Sequence, residues 1–267
     1  MEFQHAAEIW QDFPALVPGV VFAAGITPDA KVDDGVARFG EIASSRLAIS
    51  PESEFPEIQA WRRAFTRMGL KPTQYRCASE SLLRRFRKEG SLPPLHPLVD
   101  LCNAISLAFA TPIAVFDLAE ISGGLQVRYA AGDEQYLTFG GGVENPSPHE
   151  VIFADAAGQA HARRWTNRQS GRSAIRDSTG TVLIVAEALH PTAAADMSRL
   201  IPALVTELTA VWPAHPATAV LTAADPRFTF WLSERAVVSP PVLFHVYVSH
   251  QLQMVIPAIP ERLPRVQ

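Results

Sequence analysis

Three stretches with helical apolar spacing, followed by a train of short β-prone runs, constrain this chain most strongly. Residues 57–70 carry Ile58, Trp61, Phe65 and Met68 at helical intervals, and Gly69 with the Lys71-Pro72 pair ends the pattern. Residues 79–88 repeat it, with Leu82, Leu83 and Phe86 inward and the arginines outward. Residues 96–109 place Pro97 in a first turn and Leu98, Leu101, Cys102, Ile105 and Phe109 on one face. The runs 113–116, 125–129, 136–139, 151–154 and 182–186 then read as strands, most of them separated by Gly or Pro turns. Upstream, 16–26 reads as a buried strand, 36–43 as helix-like and 50–56 as a proline-punctuated loop; 193–212 is again helical.

The organisation expected is one domain over residues 1–230. The remainder, 231–267, carries Pro240, Pro241, Pro257, Pro260 and Pro264 and is read as an appended or poorly ordered segment. The longest apolar runs, such as 183–189, fall far short of the roughly 20 residues that a membrane helix needs. Glu2, His5 and Glu8 stand where a secretory signal would carry positive charge, so a cytoplasmic protein with no membrane partner is expected. Cys77 and Cys102 lack a second C-x-x-C pair and are expected to be buried, reduced thiols.

Charge is unevenly distributed. The formal net charge is −4, which argues against a protein that coats nucleic acid. Between residues 61 and 88, however, nine bases face a single acid, Glu80, and between 160 and 176 there are five arginines and no acid. The rest of the chain holds nine bases against 26 acids, so the two basic stretches would form local positive patches on a negative body. Such patches suit a phosphate-binding face on a discriminating protein. They equally suit two solvated faces of helix and strand, and charge alone leaves both readings open.

Familiar catalytic machinery is absent from the sequence. There is no phosphate loop and no G-x-G-x-x-G, and Gly140-Gly141-Gly142 reads as a turn, so no cofactor is expected. No histidine pair forms H-E-x-x-H, and the nearest pair, His245 and His250, falls in the C-terminal segment, so no metal is expected. Ser170 is not in a nucleophile elbow. What remains is polar residues inside apolar segments. Asp100, Asn103 and Ser106 form a stripe at three-residue intervals, Asp117 and Asp155 end apolar strands, and residues 165–169 combine aromatic, amide and guanidinium groups. These groups can line a pocket for a small polar ligand. Asp117 and Asp155 fit turn or cap positions equally well.

A resemblance to a known family enters on these residues. Val99-Asp100-x-x-Asn103-x-x-x-Leu107, followed by Pro112-x-x-x-Phe116-Asp117-Leu118, resembles part of the B3/B4 editing domain in the β subunit of bacterial phenylalanyl-tRNA synthetase. Val127-Arg128, the Gly132/Glu134 turn, the run 151–155, Ser170-Gly171 and Thr179-x-x-Val182-Leu183 follow in the same order. The run 69–76, Ser79-Glu80, Leu82-Leu83-Arg84-Arg85 and Trp165-x-Asn167-Arg168-Gln169-Ser170 resemble free-standing proteins built from that domain alone. The likeness covers roughly residues 55–190.

The resemblance implies an α+β fold of the B3/B4 type, with mixed β-sheets flanked by helices, and an enzyme that hydrolyses the ester of a mischarged tRNA in trans, with tRNA rather than DNA as partner. It implies that Tyr75, Arg76, Ser79 and Glu80 line one wall and that Asn103, Asp117 and Asp155 make polar contacts with the substrate. Asn167, Arg168, Gln169 and Ser170 would hold water or the ester carbonyl, and Arg84, Arg85, Arg163 and Arg164 would meet phosphate. An aminoacyl ester is activated, so a positioned water and amide donors toward the oxyanion suffice without a nucleophile or metal. Two departures stand out. Ala114 and Val115 occupy the region where the synthetase domain carries a histidine, and Arg168-Gln169 replace its acid before Ser-Gly. The substrate candidates implied are canavanyl-tRNA for arginine and tyrosyl-tRNA for phenylalanine. The alternative is a binding module for the tRNA acceptor end or for an amino acid, without hydrolysis.

Overall fold

A computed structural model describes residues 1–230; residues 231–267, with the proline-rich segment and the His245/His250 pair, lie outside the described residues. The chain opens with β1 (Glu2–His5), which turns Phe3 and His5 inward, and a short helix α1 (Ala7–Asp12). β2 (Val17–Ala24) and α2 (Asp33–Ile49) follow. Next come α3 (Pro56–Arg67), α4 (Ala78–Glu89) and α5 (Pro97–Phe109). Proline occupies the first turn of α3 and of α5, where its missing N–H costs nothing. His96 caps α5 by accepting the Leu98 N–H on its Nδ1 at 3.2 Å, and Gly90 ends α4 in the left-handed conformation at φ +78°.

The strands then run β3 (Ile113–Asp117), β4 (Leu125–Tyr129), β5 (Tyr136–Leu137), β6 (Val143–Glu144), β7 (Val151–Asp155), β8 (Ala160–Arg163), β9 (Arg168–Gln169) and β10 (Thr181–Ala188). Helix α6 (Ala193–Val211) and strands β11 (Ala217–Val220) and β12 (Arg227–Thr229) complete the described chain. One sheet has the order β12-β1-β4-β7-β8-β9, a second β11-β2-β10-β3, and β5 pairs with β6. Both larger sheets contribute to one core: Phe3, Val127 and Phe153 from the first meet Val20, Phe116, Leu183 and Val185 from the second. The opposite face of the second sheet, through Val21, Val115, Val182 and Ile184, packs on Phe39 of α2, Leu101 and Ile105 of α5 and Leu200 and Leu204 of α6. Adjacent residues of β2, β3 and β10 thus enter different cores, as the two-residue period of a strand requires. A sheet buried on both faces reads as an unbroken apolar run, which is why 16–26 and 182–186 are visible in the sequence.

The α+β class with mixed sheets and flanking helices is the observed one. Several boundaries differ. The helix expected at 36–43 extends over α2, the loop at 50–56 contains a 3-10 turn (Glu52–Glu54), and the strand at 136–139 stops at Leu137. Strands β1, β6, β8, β9, β11 and β12 and helix α1 have no counterpart in the sequence reading. β8 is Ala-His-Ala-Arg, without a β-branched residue, yet all four residues are buried. Cys77 and Cys102 are buried free thiols, and burial pushes both up to about 12.

Candidate functional site

Residues 164–167 form the loop that joins β8 to β9. Arg164 and Trp165 both adopt positive φ, +48° and +56°, a conformation that costs free energy in residues other than glycine. The loop is held from two sides. Asn167 Nδ2 donates to the Arg76 carbonyl at 2.7 Å and the Ala78 N–H donates to the Thr166 carbonyl at 2.8 Å, tying it to the start of α4. Gln169 Nε2 donates to the Val115 carbonyl of β3 at 2.5 Å. Trp165 is wholly buried, its ring edge-on to Trp61 at 5.0 Å and to Phe13 at 4.8 Å.

Beneath this loop lies a small pocket of about 60 Å³, lined by Ala78, Ile113 and Ala114, by residues 165–169 and by Val185 and Glu187 of β10. Its polar groups come from few residues. Glu187 is only 2% exposed, and its Oε1 accepts the Trp165 indole N–H at 2.9 Å and lies 2.7 Å from His5 Nε2. Among the described residues none donates to its other oxygen, Oε2. Thr166 Oγ1 is buried without a hydrogen-bond partner. Asn167 and Gln169 each keep a second amide hydrogen beyond the one they donate. Ile113 and Gln169 also line an adjoining cavity of about 350 Å³, together with Asn103, His96, Phe139 and Asp177. The small pocket offers a carboxylate acceptor and hydroxyl and amide donors to a group the size of a water or an ester; the adjoining cavity has room for a side chain.

Of the expected site residues, Asn167, Arg168 and Gln169 line the pocket, and Asn103 lines the adjoining cavity. Tyr75 stands beside them with the Arg164 guanidinium 4.8 Å above its ring, and Arg76 contributes its carbonyl to the clamp on Asn167. Ser170 is not in the pocket: it is buried and donates to the Leu137 carbonyl at 2.9 Å. Ser79 is buried with its Oγ 3.4 Å from the Cys77 sulfur. Glu80 is buried and held by Arg62 at 2.6 and 3.2 Å and by Arg76 at 3.4 Å, so its charge is already matched inside the protein.

Asp117 and Asp155 do structural work of the kind their strand-end positions also allowed. Asp117 accepts from Thr179 Oγ1 at 2.6 Å and from the Ala119 N–H at 3.0 Å. Asp155 accepts the N–H groups of Ser122, Ala157 and Gln159. It also lies 3.2 Å from His161 Nε2, while His161 Nδ1 is 2.9 Å from Ser173 Oγ. This line has the residue types of a nucleophilic triad, but Ser173 and His161 are wholly buried and outside the pocket. Burial pulls the His161 pKa down against the opposing pull of Asp155.

The basic stretches divide. Arg163 is buried, clamped by Glu150 at 2.9 Å and Glu144 at 2.6 Å, which removes it from any phosphate-binding role. Those pairs raise the Arg163 pKa, and although burial works against it, Glu150 is held below the usual carboxylate range. Arg84 is exposed and 3.4 Å from Glu52; Arg85 is exposed and 2.8 Å from Glu89. Arg63, Lys71, Lys88 and Arg172 form no ion pair among the described residues, and neither does Arg164. One mixed donor group among the described residues, Glu57, His190 and Asp196, has an atom from each within 4.8 Å of the others. Arg46 and Arg199 already balance its two carboxylates, which sit in the first turns of α3 and α6, where a helix favours anions over cations. It reads as a structural cluster.

Glu187, the acid of the pocket lining, was not singled out from the sequence, and Thr166 stood there only as a member of the run 165–169. Glu187 lies inside an apolar strand. A charged residue in such a run is itself a signal, because burying a carboxylate is costly unless it is paired.

The fold and site define an α+β domain of two facing sheets with a small pocket beside a strained loop. The B3/4 domain family model matches residues 60–209, and the chain belongs to that family. It is 29% identical over 131 residues to the phenylalanine--tRNA ligase beta subunit of Shewanella oneidensis, covering 49% of this chain and 16% of that subunit. It is 25% identical over 178 residues to the same subunit of Photorhabdus laumondii, covering 62% of this chain and 22% of the relative. The chain thus spans less than a quarter of the length of these relatives. An N-terminal fragment of the phenylalanyl-tRNA synthetase beta-subunit from Pyrococcus horikoshii aligns with a TM-score of 0.42 at 10% identity, over 80% of this chain and 49% of that one. The relationship connects this chain to tRNA-related proteins. No described helix is long and apolar enough to cross a membrane.

Proposed function

We propose that this chain is a trans-editing aminoacyl-tRNA deacylase that hydrolyses the ester of a mischarged tRNA. The observation that carries the reading is Glu187: a buried carboxylate lining the small pocket, held through one oxygen and with the other unpartnered, in a lining it shares with Thr166, whose hydroxyl is an orphan, and with Asn167 and Gln169. In the proposed reaction a water in this pocket attacks the ester carbonyl while Glu187 takes its proton. The carbonyl oxygen gains negative charge and is met by the Thr166 hydroxyl and the spare amide hydrogens. The carbon–oxygen bond to the ribose then breaks, and the ribose oxygen takes the proton back from Glu187. The products are a free amino acid and an uncharged tRNA, and the carboxylate is regenerated.

The amino-acid side chain would extend into the cavity behind Gln169. With Glu80, Asp117 and Asp155 matched within the protein, Asp177 is the acid there that could meet a cationic side chain. Canavanyl-tRNA for arginine and tyrosyl-tRNA for phenylalanine remain the substrates proposed. Arg164, beside the pocket, and the exposed Arg84 and Arg85 are proposed to meet phosphate. The test is release of labelled amino acid from a panel of correctly and incorrectly charged tRNAs. Selective release from one mischarged species is expected. No release from any, with tRNA still bound, would make the chain a binding module for the acceptor end.

A further inference from the structure

We propose that His5, on a strand outside the family-matched residues 60–209, is the positioning residue that fixes the carboxylate of Glu187 in the pocket. This inference rests on the reading of Glu187 given above. β1 lies between β12 and β4, and its place is set by its own backbone: Met1 and Phe230 exchange hydrogen bonds at 2.9 and 3.0 Å, and the Ala6 N–H donates to the Val127 carbonyl at 2.8 Å. That placement carries the His5 ring, 2% exposed, into the core beneath the pocket, 2.7 Å from Glu187 Oε1. The Trp165 indole reaches the same oxygen at 2.9 Å from the other chain segment. Two contacts converge on Oε1 and hold it in place, and neither engages Oε2.

Packing alone does not explain the imidazole. His5 Nδ1 is buried without a hydrogen-bond partner, and a buried orphan polar atom is destabilising. A phenylalanine ring would suit the apolar surroundings, where Phe3 and Trp10 lie 5.2 and 5.4 Å away, without that defect. What phenylalanine lacks is Nε2. An N-terminal strand beyond the matched domain thereby completes the site from behind.

The test compares the full chain with His5→Phe, which keeps the ring, and His5→Gln, whose amide can reach the same oxygen. Without any substrate, NMR follows the Trp165 indole N–H resonance and the titration of the labelled Glu187 carboxyl. In His5→Phe both are expected to move from their wild-type values, and in His5→Gln the titration is expected to lie between. In single-turnover hydrolysis, His5→Phe is expected to lower the rate by about 10- to 100-fold at an unchanged half-saturating tRNA concentration, the scale of a misplaced catalytic group. His5→Gln is expected to recover part of that loss. An unchanged Glu187 titration in a folded His5→Phe protein overturns the proposal; if that variant does not fold, His5→Leu, which also lacks a donor, is read in its place and an unchanged titration there overturns it. Wild-type protein that hydrolyses no charged tRNA, with the Glu187 titration still moved by His5→Phe, would overturn the deacylase reading and leave the positioning role standing.

Discussion

The indole N–H of Trp165 donates to Glu187 Oε1 at 2.9 Å, with both side chains buried, so the strained loop and the central strand of the second sheet meet at one carboxylate oxygen. Glu187→Gln keeps an acceptor for the indole but cannot take a proton from water. Its hydrolysis rate is expected to fall by about 100-fold or more, the ordinary worth of a general base, with tRNA affinity retained. Glu187→Ala additionally leaves the indole N–H buried and unpaired, at a cost of about 1–3 kcal/mol, measurable as a lower urea midpoint. Equal hydrolysis rates for wild type and Glu187→Gln would count against the assignment.

The adjacent arginines 163 and 164 should separate stability from binding. Arg163→Ala strips the buried Glu150 of its principal partner and is expected to destabilise the fold by about 3–5 kcal/mol. The Arg164 guanidinium stacks on the Tyr75 ring and makes no ion pair among the described residues, so the unfolding midpoint of Arg164→Gln should stay near wild type. Its tRNA affinity should fall, and the slope of log affinity against log salt should flatten by about one. The reverse pattern would mean that the positive face has been misplaced.

This pair also shows where sequence reading stops. The spacing of Ile58, Trp61 and Phe65, or of Leu98, Leu101 and Ile105, displays its helix because one buried face repeats at 3.6 residues. β10 is legible because both of its faces are buried. β8 is not: Ala-His-Ala-Arg is four buried residues whose polar members meet only distant partners, Ser173 by hydrogen bond and Asp155 by proximity for His161, Glu150 and Glu144 for Arg163. A run of arginines therefore reads as one surface patch, although one member lies in the interior. The cluster Asn167, Arg168 and Gln169 is visible as an unusual polar run. Its carboxylate partner, Glu187, and the His5 behind it are brought together only by sheet topology.

Acid stability should report the Glu134 turn. Burial raises the Glu134 pKa, but hydrogen bonds from the Ala131 N–H, Arg128 and the Gly132 N–H outweigh it and bring the group down to about 2 from 4.5. Because the folded value is the lower one, this contribution is fully present above about pH 4.5 and is lost as pH falls toward 2; it amounts to something on the order of 3 kcal/mol. Glu134→Gln should be less stable than wild type at pH 7, with the gap closing between pH 4.5 and 2. A gap in urea midpoint that does not change over that range would contradict the assignment.

The close approach of β2 to α6 depends on Gly19. A Cβ there would stand 2.4 Å from the Met197 sulfur and 2.6 Å from a terminal carbon of Ile201. Gly19→Ala is expected to cost about 1–3 kcal/mol through overpacking, seen as a lower melting temperature. Met197→Ala in the same chain should restore part of the loss if the sulfur is the obstacle.

The most direct test of the central claim is single-turnover release of labelled amino acid from mischarged tRNA, run in parallel with wild type and Glu187→Gln. The account predicts rapid release from one mischarged species by wild type, little from its correctly charged counterpart, and a rate at least about 100-fold lower for Glu187→Gln. Release by Glu187→Gln at the wild-type rate, or no release from any charged tRNA by wild type, would contradict it.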